Sequence, residues 1–88
     1  MKIEFDPAKR ELTLKNRGLD FLDGPKLFEG RVLTVADDRM DYGEDRFISY
    51  GFINETAVAI VWTDRGGVKR IISMRRMHKE EIDHVGLD

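Results

Sequence analysis

The side chains able to do chemistry in this sequence are nearly all charged, and they are grouped. Between Asp64 and Lys79 stand Arg65, Lys69, Arg70, Arg75, Arg76 and Lys79, against the single acid Asp64. Between Lys9 and Arg17 stand Lys9, Arg10, Lys15 and Arg17, against Glu11. The acids gather in Asp37, Asp38, Asp41, Glu44 and Asp45, and again in Glu80, Glu81, Asp83 and Asp88. Such segregation can give a dipolar surface with a cationic patch, although 15 Lys+Arg against 17 Asp+Glu leave a formal net charge of −2. Solvated faces are the plain alternative.

Other chemistries are poorly served. Without cysteine there are no disulfides, thiolate nucleophiles or cysteine metal sites. No Ser–His–Asp arrangement and no phosphate-cradling glycine loop is present. His78 and His84 miss the i, i+4 spacing by which a helix presents two histidines to zinc. The five acids of 37–45 could in principle hold magnesium for a two-metal nuclease. Their spacing does not match a calcium loop, and Arg39 and Arg46 stand ready to neutralise them. A charged loop that keeps a hairpin end soluble is the favoured reading, so neither metal nor cofactor is expected.

The elements that position these groups follow from punctuation and period. A chain of 88 residues without repeats or linkers fits one domain, 1–88. Asp6 as N-cap, Pro7 at the first position and Gly18 just past the end delimit a first helix. That helix is weakly amphipathic, since Leu12 and Leu14 lie about 200° apart at ~100° per residue, while Lys9, Thr13 and Arg17 share a face. A short second helix starts at Asp23 or Gly24 and buries Leu27 and Phe28. From Arg31 the composition turns β-branched and aromatic, giving strands at Val32 to Val35, Phe47 to Ile53, Ala57 to Thr63 and Val68 to Met74. Short links make them an antiparallel meander.

Taking Gly66-Gly67 as a two-residue turn pairs Arg65 with Val68, Asp64 with Lys69, Thr63 with Arg70 and Trp62 with Ile71. That register puts Arg65 and Arg70 on one face, with Val61, Thr63 and Ile72. It puts Arg75 on the other, with Trp62, Ile60, Ile71 and Ser73, unless a bulge re-aims a side chain. A last helix spans His78 to Val85 with Ile82 and Val85 inward. The class is α+β: two N-terminal helices, a four-stranded antiparallel meander and a C-terminal helix. Both sheet faces are apolar in the middle, so both must be covered at least in part. The start lacks a cationic, apolar leader, and the longest apolar run is Ala57 to Trp62, so a cytoplasmic protein without a membrane span is expected.

An ordered set of motifs then carries a resemblance. Phe5-Asp6-Pro7-Ala8-Lys9 is followed by Gly18-Leu19-Asp20-Phe21 and Val32-Leu33-Thr34-Val35. The run from Asp37-Asp38-Arg39 through Asp41-Tyr42-Gly43-Glu44 to Arg46-Phe47 comes next, then Trp62-Thr63, Arg65-Gly66 and Arg70-Ile71-Ile72-Ser73 with Arg75. Over nearly its whole length the chain resembles the BrnT toxins of type II toxin–antitoxin pairs, whose fold is RelE-like. The resemblance implies an endoribonuclease that arrests translation, acting on free or ribosome-associated mRNA. It also implies a BrnA-type antitoxin that neutralises it in a 2:2 assembly and supplies the only contact with DNA. The chain departs from the family in carrying Thr13 for Asn, Arg17 for His, Trp62 for Tyr and Met77 for Ala. His78 opens the last helix where the family has a hydroxyl, which predicts a frayed start there. The change at Arg17 opens an alternative, a catalytically inactive relative that serves as an antitoxin-binding or co-repressor module.

Metal-free RNA cleavage needs a base for the attacking 2′-hydroxyl, cations around the phosphorane and an acid for the leaving oxygen. Arginine suits the cationic task because its planar fork grips phosphate oxygens by two bonds. The catalytic candidates are Arg65, Arg75, Lys9 and Glu44, with Tyr42 and His78 as further acid–base candidates. Arg70, Arg76, Arg17 and Arg46 are candidates for RNA binding, and Tyr42 for stacking on a base. Each has a bland counterpart: a surface arginine paired with an acid, or Glu44 tied to Arg46 in a structural ion pair. The ribonuclease reading expects the guanidiniums gathered and available; arginines scattered and each tied to a carboxylate favour the partner-binding role.

Overall fold

The computed structural model describes residues 1–86, so Asp88 lies outside the described residues. In chain order the elements are β1 (Ile3–Phe5), α1 (Pro7–Arg17), a 3-10 turn (Phe21–Asp23), α2 (Gly24–Glu29), β2 (Leu33–Ala36), β3 (Phe47–Ile53), β4 (Thr56–Arg65), β5 (Val68–Arg76) and α3 (Lys79–Val85). The Asp6 carboxylate accepts the Ala8 N–H at 2.9 Å, Pro7 opens α1, and Gly18 closes it at φ 69°. No α1 residue is buried, in keeping with its weak amphipathicity. Polar ties attach it instead. Arg17 donates to the Met74 carbonyl at 2.8 Å, Arg76 donates to the Arg17 carbonyl, and Arg10 makes two bonds to Asp20.

The sheet has five strands, ordered β1-β5-β4-β3-β2, and it is mixed. This corrects the expected four-stranded meander. The missing member is β1, parallel to β5 with Ile3, Glu4 and Phe5 opposite Lys69, Arg70 and Ile71. Three residues are too few for a period to show, and the strand exists through its distant partner. The β4–β5 hairpin has the expected register from Arg65↔Val68 to Trp62↔Ile71. It then shifts, pairing Val61 with Ser73 and leaving Ile72 as the extra residue of a bulge.

Alternation along the strands builds two cores. On one face Val58, Ile60, Ile71 and Met74 pack with Phe21 and Leu27 from the 3-10 turn and α2. Close approach there needs two glycines, because a Cβ at Gly24 would stand 2.7 Å from Ile71 Cδ1, and one at Gly51 2.9 Å from Leu27 Cγ. On the other face Ile48, Ala59 and Met77 form a smaller cluster, bordered by Tyr50, Val61 and Val85. Helix α3 brings Val85 inward as expected, while Ile82 stays 38% exposed, because the face turned to the sheet is the one shared by Glu81 and Val85, four residues apart, and Ile82 lies off it. Its start is not left to fray: the Glu81 carboxylate accepts the His78 N–H at 2.8 Å.

Candidate functional site

The bulge decides which arginines share a surface. Thr63 and Arg70 are register partners, and beyond the shift Val61 faces Ser73 and Ala59 faces Arg75. Arg75 and Ser73 therefore join Arg65, Thr63 and Arg70 on the face that carries Ile48 and Tyr50, a correction to the uninterrupted register. Glu4, opposite Arg70 on β1, and Arg46, two residues before Ile48, share that face. Four guanidiniums thus line one side of the sheet. The end near α3 is covered, and the hairpin end is open.

The loop between β2 and β3 builds the open end. Asp37 is buried, and its carboxylate accepts Arg39 Nε at 2.7 Å, Arg39 Nη2 at 2.9 Å and the Tyr42 hydroxyl at 3.2 Å. Bonding from Arg39 holds this carboxyl below the usual carboxylate range, and Asp37 in turn raises Arg39. The Arg46 guanidinium lies 4.0 Å over the Tyr42 ring, a cation–π contact that occupies one face of the ring. Arg46 also donates to Glu44 at 3.2 Å, and Arg65 donates to the other Glu44 oxygen at 3.4 Å. Glu44 is therefore bracketed by two arginines. Of the acids of the loop, Asp37 and Glu44 are neutralised internally by Arg39 and Arg46, in line with the expectation from sequence.

The covered end has a different pairing. Arg75 makes two parallel bonds to Glu81 of α3, at 2.7 and 2.8 Å, with the two side chains 31% and 22% exposed. Arg75 bonding drives the Glu81 carboxyl down to about 2, and Glu81 raises the Arg75 guanidinium. At the open end Arg70 stands 3.8 Å from Glu4, and Arg65 is 52% exposed. Every arginine of the face has a carboxylate neighbour, so the group is gathered but not free. The grips are unequal, however, and long exposed pairs are weak and screened by salt.

The remaining candidates lie elsewhere. Lys9 and Arg17 line a cleft of about 190 Å³ between α1 and β5, with Thr13, Ile72 and Ser73. Arg76 and Arg17 spend hydrogen bonds on fastening α1 to the sheet. His78 caps α3 and His84 lines a groove between α3 and β2. Among the described residues no three His, Asp or Glu side chains are grouped to hold a metal ion. The carboxylates Glu4 and Glu81 were missed as partners of Arg70 and Arg75. Their pairings need β1 and the bulge, which no local pattern announces.

A family model described as "Ribonuclease toxin, BrnT, of type II toxin-antitoxin system" matches residues 5–81, which includes both the loop and the hairpin. No curated protein matches the chain.

Proposed function

The chain belongs to the BrnT family of ribonuclease toxins of type II toxin–antitoxin systems, and from that premise we propose that it cuts RNA on the open end of the sheet face, without metal. The observation that carries this reading is Glu44 bracketed by Arg46 and Arg65, with Arg70 on the same face. Glu44 takes the proton of the 2′-hydroxyl, whose oxygen attacks the adjacent phosphorus. Arg65 and Arg70 exchange their long contacts with Glu44 and Glu4 for the phosphate oxygens and stabilise the phosphorane. The 5′-oxygen departs and recovers a proton from solvent at the open face, leaving a 2′,3′-cyclic phosphate. Arg46, stacked on Tyr42, holds Glu44 in place as a positioning residue. Arg75, clamped by Glu81, fastens α3 instead of binding phosphate, and Lys9, Arg17 and Arg76 take no part in the chemistry.

In the cell this activity arrests translation in the cytoplasm until a BrnA-type antitoxin, which also carries the DNA contact, neutralises it in a 2:2 complex. A second reading, an inactive module that only binds its antitoxin, is favoured by the carboxylate beside every arginine of the face and by Arg17 in the position of the family's histidine. One experiment separates the two. Purified chain is incubated with structured and single-stranded RNA in excess EDTA, and the product ends are analysed. The ribonuclease reading expects cleavage with 2′,3′-cyclic phosphate ends, lost in Arg65→Ala. Cleavage that requires Mg²⁺ and leaves 5′-phosphates overturns the mechanism, and intact RNA leaves the binding module.

A further inference from the structure

An apolar surface left uncovered lies at the far side of the sheet from β1. Strand β2 is the edge, and all four of its residues are exposed. Val32, Leu33 and Val35 show 37%, 40% and 41% of their surface, and positions 32–36 include neither the lysine nor the proline that commonly blunts an open edge. Beside the strand a groove of about 430 Å³ runs to α3, lined by Leu33, Val35, Tyr50 and Val85 together with Glu80, Glu81 and His84. Glu81 is committed to Arg75, but Glu80 makes no ion pair among the described residues, and neither do Asp38 and Asp41 just beyond the end of β2. The groove is apolar within, its polar lining is Glu80, Glu81 and His84, and Asp38 and Asp41 follow the end of β2 beside Arg39, which is paired with Asp37.

We propose that this edge and groove receive the antitoxin, as an extended segment with alternating apolar residues and flanking Lys or Arg that adds to β2 as a sixth strand. The proposal rests on the toxin reading, since it is the toxin–antitoxin family that supplies an obligate protein partner. An extended occupant satisfies the outer main-chain groups of β2, which a helix seated in the groove would leave to solvent, and drops alternate side chains between β2 and α3. Basic flanks answer Glu80, Asp38 and Asp41, whereas a second copy of this chain would bring the same unneutralised acids of both partners to one interface. The groove shares its wall with the Arg75–Glu81 clamp, so an occupant there touches the helix that closes the catalytic face.

The test uses the full chain and its cognate antitoxin, with affinity measured by calorimetry and activity by RNA cleavage. Leu33→Glu/Val35→Glu is expected to weaken antitoxin binding at least 100-fold while cleavage and melting temperature stay as in the wild type, giving a toxin that escapes neutralisation. Glu80→Lys should weaken binding several-fold and reduce its sensitivity to salt. Should the double variant melt early, Val35→Glu alone, at a 41% exposed position, carries the same expectation at about 10-fold. Unchanged affinity in these variants, or no binding by the wild type, overturns the proposal. So does a wild type that dimerises alone through this edge, with the variants monomeric yet still neutralised. Binding lost in the variants with no cleavage by the wild type sinks the ribonuclease and leaves the docking surface standing.

Discussion

One sheet face carries two arginine pairings built for opposite ends. At the covered end Arg75 and Glu81 meet through two short bonds, largely out of solvent, and tie α3 to β5. At the open end Glu44 divides its oxygens between Arg46 and Arg65 at 3.2 and 3.4 Å, and Glu4 stands 3.8 Å from Arg70. The same chemical pair differs between the two ends in bond number and distance, and Arg65 and Glu4, at 52% and 42%, are more exposed than either member of the covered pair. A phosphate can outbid a long, exposed carboxylate contact. It cannot cheaply break a bidentate pair that also caps a helix.

The largest effect that would break this comparison is on catalysis. Arg65→Ala should lower RNA cleavage at least ~100-fold, about 2.7 kcal/mol of transition-state stabilisation, while leaving the melting temperature within a degree or two. Arg75→Ala should do the reverse in kind: a clear drop in melting temperature, with residual cleavage in the protein that remains folded. If Arg75→Ala abolishes cleavage in a protein that melts normally, the two ends have been assigned the wrong way round.

The next largest effect sharpens the covered end. Glu81→Gln keeps an acceptor for the His78 N–H but removes the charge facing Arg75. A loss on the order of 2 kcal/mol in urea unfolding is expected, since a partly buried guanidinium is left with a neutral partner. The pH dependence follows from the same pair. Glu81 is held near 2, well under the ordinary glutamate value of 4.5, so its stabilisation is complete above about 4.5 and fades as pH falls toward 2. Asp37 and Asp20, both lowered by arginine partners, add in the same direction. Acid unfolding curves of the wild type and Glu81→Gln should therefore converge between pH 4.5 and 2 and stay parallel above it.

Much of this division was legible in the sequence, and its limits have physical causes. The punctuation Asp6, Pro7 and Gly18 marks α1, and Gly66-Gly67 fixes the hairpin register, because both are local devices whose partners lie within a few residues. The motif from Asp37 to Arg46 announces its own neutralisation for the same reason. Strand β1 and the bulge at Ile72 are set by tertiary packing: Phe5 must meet Phe21, and Met74 must reach the core, where it is fully buried. A single extra residue in β5 moves Arg75 from one face to the other. Glu81 as its partner follows only once that is known. The candidates on α1 scatter because Lys9, Thr13 and Arg17 form a stripe on a helix that packs at the β5 edge, away from the Glu44 loop.

The smallest expected effect is the most discriminating for the open end. If the Glu4–Arg70 and Glu44–Arg65 contacts are exchangeable, their loss should cost little stability: Glu4→Gln should change unfolding free energy by less than ~0.5 kcal/mol, and raising NaCl should shrink even that. Removing the competing carboxylate should at the same time free Arg70 for phosphate, so Glu4→Gln should bind single-stranded RNA a fewfold more tightly and with a steeper dependence on salt. Glu44→Gln offers the matching contrast, since it frees Arg65 in the same way but removes the proposed base: tighter binding with lost cleavage. Binding and cleavage moving together in both variants would mean that Glu44 acts on RNA only through its charge, and the proton would then have to go elsewhere.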